Sequence, residues 1–504
     1  MIQLNGNSLT IESFVKIARY HELVQIAPEA IEQIVLASDF VNRIAENEKP
    51  VYGINTGFGK LADVSISKDC VETLQINLLR SHACGVGNVL PEEIVRGMMV
   101  QRVNALVKGY SGIRLETLEK LIEFLNVGLT PVVFEQGSLG ASGDLALLSH
   151  MSLPLLGEGE LFFEGKRMSS AKALALAGVT PLAHLHAKEG LSLINGTQAM
   201  NSIGALVLFD AFRVFNTANL SLAMSLEALQ GIRDAFDPRV HVIRGHVGQI
   251  AVAREVLRLV DQSKNLTHQG ELRVQDAYSL RCSPQVHGAI LDTLMYVRDI
   301  VETEMNAVTD NPIVFPESET VISAGNFHGE PLAFAFDFLG IALSELADIA
   351  ERRIERLVNP QLSNGLPPFL AKGSGVNSGF MIVQYTAASL VSENKVLSHP
   401  ASVDSIPSSG NQEDHVSMGS IAARKAKTIL DNVRRVIALE LFTAAQAIDF
   451  RGKSGLGTFT KQAYSILRNT IPAVFEDVTM YPLIHEAERL VTVGAFDALF
   501  AKEN

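Results

Sequence analysis

Apolar residues recur three and four apart over roughly 197–229, 284–308, 331–358, 381–396 and 416–448, as Phe338, Ile341, Leu343, Leu346, Ile349, Ile354 and Leu357 show in the third stretch. Each stretch predicts a helix, and a helix of about 30 residues is a rod about 45 Å long. Ser283-Pro284 supplies a cap and a first-turn proline. Asn359-Pro360 stops the third helix, because proline lacks an N–H and its ring blocks the preceding turn. Rods with apolar stripes must bury them against one another. The predicted fold is therefore mainly α, built on a long central helical bundle.

The N-terminal part reads differently. Thr10 can cap one short amphipathic helix (Ile11, Phe14, Val15, Ala18), and Pro28 can open another (Ile31, Ile34, Val35, Val41, Ile44). Three segments rich in glycine and polar residues, 49–64, 137–144 and 195–197, predict loops. The expected organisation is a loop-rich N-terminal domain over 1–195, the bundle over 196–450 and a helical segment over 451–504 packed on it, together one extended body.

Charge narrows the function classes. Lys+Arg 42 against Asp+Glu 55 leaves a net charge of −13, which excludes nucleic-acid binding by bulk positive charge. The start, Met1 to Ile11, has neither the basic nor the apolar region of a secretory signal. The most apolar long segment, 332–350, is interrupted by Asp337, Glu345 and Asp348, so no membrane span is expected. Cys70, Cys84 and Cys282 lack C-x-x-C spacing and suit free thiols in a reducing cytoplasm.

Several motifs fail on inspection. Gly57-Phe-Gly-Lys-Leu-Ala62 matches G-x-G-x-x-A but lacks the strand-then-helix setting of a dinucleotide site. Ser142 resembles a nucleophile elbow, yet Asp144 stands where the second glycine belongs. His184-Leu-His186 and Glu413-Asp-His415 each offer two good ligand types, and two ligands do not make a metal site, so no metal is expected.

Ala141-Ser142-Gly143 is more telling. Gly143 has no Cβ to hinder its amide nitrogen, and Ala141 leaves its own carbonyl uncrowded. Attack of that nitrogen on that carbonyl, followed by loss of two waters, one of them from the Ser142 hydroxyl, gives a 4-methylidene-imidazol-5-one ring. Such a ring is an electrophile that no ordinary side chain provides. Alone, the tripeptide is an ordinary turn.

Its company is not ordinary. Tyr52-Gly-Ile-Asn-Thr-Gly-Phe-Gly59, Ser81-His-Ala-Cys-Gly-Val-Gly87, Gly137-Ser-Leu-Gly-Ala-Ser-Gly-Asp-Leu-Ala146, Lys188-Glu-Gly-Leu-Ser-Leu-Ile-Asn-Gly-Thr197, Gln275-Asp-Ala-Tyr-Ser-Leu-Arg281, Gly325-Asn-Phe-His-Gly329 and Asn411-Gln-Glu-Asp-His-Val-Ser417 follow one another in the order of the aromatic amino acid ammonia-lyase family, which the chain resembles over nearly its whole length. The resemblance implies the fumarase/aspartase-like architecture, a homotetramer whose sites combine residues of neighbouring subunits, and non-oxidative elimination of ammonia from a small amino acid. It also implies a 4-methylidene-imidazol-5-one group formed autocatalytically from Ala141, Ser142 and Gly143, attacked by the substrate amine or by its aromatic ring. The need for an electrophile is chemical: the hydrogen to be lost sits on an unactivated β-carbon, and an amine leaves poorly.

By the same resemblance Tyr52 is the catalytic base, which a phenol can be only where charge or hydrogen bonds stabilise the phenolate. Arg281 pairs with the substrate carboxylate, for which a planar fork of donors suits better than lysine. Asn195 is a second ligand to the carboxylate or to the ring carbonyl. Tyr278 and Gln275 hydrogen-bond beside the ring, and Phe327 packs there. His82 suits a polar substrate ring. Glu413 stands where relatives acting on phenylalanine or tyrosine tend to carry an amide, and a carboxylate can hold an imidazole N–H or an imidazolium. Histidine is the implied substrate, with trans-urocanate as product and a place at the start of histidine degradation. A tyrosine or phenylalanine lyase and a 2,3-aminomutase are the alternatives within the family, and a catalytically silent helical scaffold is the alternative outside it. Three positions depart from the family pattern: Leu147 replaces a common proline, Ala324 a frequent glycine and Gly410 a frequent alanine.

Overall fold

The computed structural model describes residues 1–47, 49–140 and 143–500. The fold is mainly α. Its long helices, Gln198–Ala228, Ser283–Met305, Glu330–Val358, Met381–Leu397 and Gly419–Arg451, fall within a few residues of the periodic stretches. The last starts later than its apolar pattern because Met418 has φ +55 and the Ser417 hydroxyl accepts the Gly419 N–H at 3.2 Å, so the turn before it cannot be helical. Among the described residues one helix, Gln198–Ala228, is long and apolar enough to cross a membrane by length and composition. Burial of 72% of its most apolar window inside the protein accounts for that surface as core.

Two compact units are formed, each from three separated stretches of chain. The first comprises Met1–Phe209, Arg298–Asp337 and Pro400–Arg424; the second comprises Asp210–Val297, Phe338–His399 and Lys425–Asn504. Neither coincides with the divisions at 195 and 450 expected from the sequence, because each unit draws part of its packing from late in the chain.

In the first unit the helix Glu92–Leu106 is buried on all sides from Ile94 onward, and the helices Ile11–Ala18 and Leu115–Val127 pack against it. The Thr10 hydroxyl accepts the Ser13 N–H at 3.2 Å while the Ser13 hydroxyl accepts the Thr10 N–H at 2.9 Å, a reciprocal cap that starts Ile11–Ala18 where the sequence expected it. Buried Arg96 donates to Leu125 O at 3.0 Å and Ile17 O at 3.1 Å, satisfying last-turn carbonyls of both neighbouring helices. Burial pushes this guanidinium down to about 10. The strands are short: Ile2–Leu4 lies parallel to Val24–Ile26, whereas Val86–Val89 with Phe134–Gln136, Thr130–Pro131 with Glu160–Phe163 and Lys166–Ser169, and Ile313–Phe315 with Thr320–Ile322 are antiparallel.

The second unit is held by a buried polar network as well as by apolar stripes. Arg353 and Glu440, both fully buried, pair through Nε–Oε1 at 2.5 Å and Nη2–Oε2 at 2.9 Å. Glu440 also accepts the Ser221 and Ser225 hydroxyls at 2.6 and 2.8 Å. His287 lies 3.4 Å from Arg353 and 2.8 Å from Asn219, and burial together with the Arg353 charge holds the imidazole neutral, well below its ordinary range. Such a pair adds little net stability over apolar packing, but it rejects any register of these helices that leaves one charge alone.

Candidate active site

Tyr52 stands in a loop whose backbone is fixed from inside. Buried Asn55 accepts the Val51 N–H at 2.7 Å and donates to Asn47 O and Lys49 O at 3.1 and 3.0 Å, while Ile54 packs with Phe40, Val41, Val71 and Val314. The Tyr52 phenol oxygen accepts the Gly59 N–H at 3.3 Å. Burial raises this phenol above its ordinary value; the Gly59 N–H pulls it down, and the carboxylates of Glu413 and Asp310 push it further up. The stabilising charge that a phenolate needs is therefore not supplied by these neighbours.

His82 ends the helix Val71–His82, with Nδ1 2.9 Å from the Ser81 hydroxyl; burial lowers its pKa, partly offset by the Leu78 carbonyl and Glu413. Asn195 ends the helix Glu189–Ile194 and is 3% exposed. Its amide donates to Asn311 O at 3.0 Å, and its buried Oδ1 has no hydrogen-bond partner among the described residues. Glu413 exchanges backbone hydrogen bonds with Ser408 and accepts the Ser408 hydroxyl at 3.1 Å. Tyr52, His82, Asn195 and Glu413 line one cavity of about 420 Å³, with Phe58, Leu74, Leu78, Leu145 and Leu191 as apolar wall. Its volume and its mix of apolar wall with a few convergent polar groups suit a small ligand.

Ala141 and Ser142 lie outside the described residues. Their flanks are held firmly. Gly143 has φ +73, and a Cβ on it would lie 2.0 Å from Gly196 O, so only glycine fits. The Asp144 N–H donates to the same carbonyl at 2.7 Å. On the other flank Met418 N–H donates to Leu139 O at 2.8 Å and the Ser420 hydroxyl to Ser138 O at 2.7 Å.

A model of the family described as aromatic amino acid lyase matches residues 9–469. The chain belongs to the aromatic amino acid lyase family. This family depends in general on a 4-methylidene-imidazol-5-one group and acts on amino acids. Among the chain's relatives are proteins named histidine ammonia-lyase from Clostridium tetani, 56% identical over 97% of this chain and 96% of the relative, and from Alkaliphilus metalliredigens, 55% identical over 97% and 96%. Among solved structures, a tyrosine aminomutase from Streptomyces globisporus superposes with a TM-score of 0.96 at 38% identity, covering 100% of this chain and 99% of that one. A histidine ammonia-lyase from Trypanosoma cruzi superposes with a TM-score of 0.91 at 43% identity, covering 98% and 94%.

Not every residue expected in the lyase site lines the cavity. Gln275, Tyr278 and Arg281 belong to the second unit, where Gln275 is exposed and Tyr278 is 71% exposed. The Arg281 guanidinium stacks 4.5 Å from the Tyr278 ring centroid, and its Nε donates to Asp276 O at 2.8 Å. Phe327, in the first unit, is half-buried and outside the lining. The departures from the lyase pattern are all accommodated. Leu147 is fully buried in the helix Leu145–Ser152, the Ala324 N–H donates to Asn311 Oδ1 at 2.8 Å, and Gly410 has φ +61, where alanine would be strained.

Sequence reasoning missed the charged groups behind the cavity. Fully buried Lys188 lies 2.6 Å from Asp310 Oδ2 and 3.1 Å from the Ser192 hydroxyl. Burial lowers the ammonium pKa, Asp310 raises it and nearby Arg102 lowers it again. Arg102 is pushed down to about 10 by burial and donates to Gln198 Oε1 at 3.1 Å and Thr309 O at 2.8 Å. Asp144 is fully buried at the N-terminus of Gln198–Ala228, where its carboxylate accepts the Met200 N–H at 2.8 Å. Burial pushes it up to about 7 against the pull of the Met200 and Ala199 N–H groups, with Glu304 adding to the rise. A partial signal was available for Asp144: an acid immediately before an apolar helix stands where unpaired N–H groups collect, although the N–H group it meets belongs to the start of a different helix.

Proposed function

We propose that the chain is a histidine ammonia-lyase, eliminating ammonia from L-histidine to give trans-urocanate. The observation that carries this reading is the convergence of Tyr52, His82, Asn195 and Glu413 on one cavity of amino-acid size. Glu413 holds the imidazole of the substrate through a charge-assisted hydrogen bond, and His82 keeps that end of the pocket polar. The unpaired Oδ1 of Asn195 is left free to meet a substrate donor. Tyr52 takes the β-proton. Because its surroundings favour the neutral phenol, the cationic groups of the bound substrate are what bring it toward the phenolate.

The residues around Gly143 fit a ring built from Ala141, Ser142 and Gly143: the one position that must present an unhindered amide nitrogen is also one where a Cβ has no room. When formed, that ring supplies the electrophile that makes the elimination feasible. Arg281 would hold the substrate carboxylate, Gln275 and Tyr278 would hydrogen-bond beside the ring, and Phe327 would pack there. The exposure of Gln275 and Tyr278, and the absence of all four from the cavity lining, support a homotetramer in which a second copy brings such residues to the site. Unpaired cysteines, Cys70 and Cys84 among the exposed ones, support a cytoplasmic location.

The test is a substrate panel. Purified protein given L-histidine should release urocanate and ammonia in equal amounts, and the Ser142→Ala variant should release neither while keeping its fold. Coumarate from tyrosine, cinnamate from phenylalanine, or a β-amino acid from either, with histidine inert, would overturn the reading in favour of the other lyases or an aminomutase.

A further inference from the structure

Outside the cavity lining, His328, Glu330 and His415 each bring one ligand atom to within 4.8 Å of the other two. The two imidazoles are stacked, with centroids 5.6 Å apart and planes 22° apart. Glu330 opens the helix Glu330–Val358, where a negative charge is favoured by the helix dipole. That does not account for its Oε2, which is buried and has no hydrogen-bond partner among the described residues. A buried carboxylate oxygen ordinarily has a donor or a cation against it. The hydrogen bond from the Glu330 N–H to His328 Nδ1 is long, 3.4 Å, and fixes that ring only weakly.

We propose that His328, Glu330 and His415 bind a divalent transition-metal ion of the zinc type. Two imidazoles and one carboxylate form a mixed nitrogen and oxygen donor set that suits zinc or cobalt, whereas magnesium and calcium prefer oxygen throughout. Three protein ligands leave a fourth position for water. Metal–ligand distances of about 2.0–2.1 Å bring ligand atoms to within roughly 3.4 Å of one another. Side-chain rotation and a small loop movement cover the difference from the present spacing. Glu413-Asp-His415 by itself lacks a third ligand. The structure supplies different partners for His415, from residues 328 and 330.

The ion would tie two segments that both carry proposed site residues: Phe327 precedes His328, and Glu413 lies two residues before His415. It is a clip that positions the 411–417 segment, and no chemical step passes through it. Metal binding itself does not depend on the reaction proposed above, and it is measured without turnover.

The experiment uses the full-length protein, stripped with a chelator and dialysed. Titration with Co²⁺ should develop the intense visible bands of a low-coordinate cobalt site, saturating at one ion per chain, and Zn²⁺ should displace it with the same stoichiometry in isothermal titration. His328→Ala and His415→Ala should each weaken binding by about 100-fold or more, and Glu330→Gln by about 10-fold or more, with circular dichroism unchanged. His184→Ala serves as control, because His184 and His186 form another stacked pair, with centroids 5.1 Å apart, and should leave binding intact. Absence of stoichiometric binding, or binding that survives both His328→Ala and His415→Ala, overturns the proposal.

Discussion

Asp144 Oδ2 accepts the Met200 backbone N–H at 2.8 Å, while Oδ1 of the same buried carboxylate has no hydrogen-bond partner among the described residues. Burial of the carboxyl group outweighs the pull of the backbone N–H groups and, with Glu304 adding to the rise, pushes it up to about 7 from its ordinary 3.8.

Stability follows from that shift. The folded chain holds the Asp144 proton to about pH 7, while the unfolded chain releases it near 3.8, so between those values the folded state binds more protons. The contribution of this group is full below pH 3.8 and is lost as pH rises toward 7; a difference of that size corresponds to about 4 kcal/mol. Thermal melts of the parent minus those of Asp144→Asn should decline between pH 5 and 7.5. A flat difference would show that the carboxylate is ionised throughout.

Lys188 and Asp310 predict a second asymmetry. Lys188→Met leaves a buried carboxylate without its partner and should cost about 3–5 kcal/mol in denaturant unfolding. The double change Lys188→Met with Asp310→Leu should recover much of that loss. If the double variant is no more stable than the single one, Asp310 has found another donor.

Gly143→Ala sets a Cβ 2.0 Å from Gly196 O. The expected outcome is loss of activity, with intact-mass measurement finding the chain heavier than the parent by two waters in addition to the methylene that the substitution itself adds. Turnover, with a mass above the parent's by the methylene alone, would mean that the flank can relax.

Tyr52→Phe removes the proposed base and only one long hydrogen bond, from Gly59. kcat should fall by about 10²–10⁴ with little change in melting temperature. Because burial holds the phenol neutral, the parent's rate should climb with pH through the neutral range, and the variant should lose that climb. An unchanged pH profile would assign the proton transfer elsewhere.

Glu413→Gln weakens a charge-assisted bond to the substrate imidazole. The KM for histidine should rise by about 10-fold, since such bonds contribute on the order of 1.5 kcal/mol. Turnover of tyrosine or phenylalanine, if any, should not fall with it. Equal losses on all substrates would make Glu413 a general structural residue.

What could be read from the sequence follows a physical line. Apolar spacing located the long helices because burial of a stripe is a local, periodic demand. Tyr52, Asn195 and Glu413 were found through motifs, and the cavity gathers them. The burial and partners of Lys188, Asp144, Arg353 and Glu440 were not legible, because a charged residue on a helix or in a loop looks solvated until its partner is known. Glu440 meets Arg353 across 87 residues of chain and Lys188 meets Asp310 across 122. The cap at Thr10, by contrast, is local, and the sequence showed it, while the reciprocal bond from Ser13, three residues on, came from the structure.

The first unit takes its last stretch from Pro400–Arg424, so a ribosome has made four-fifths of the chain before that unit owns all its parts. Asn195 waits for Asn311, and the cavity waits for Glu413. A nascent chain cannot assemble the pocket early, and a message truncated before that point yields a protein with the Tyr52 and Gly143 loops but no enclosed site around them. Any chemistry of the 137–144 loop that needs the enclosed cavity would therefore wait for a nearly finished molecule.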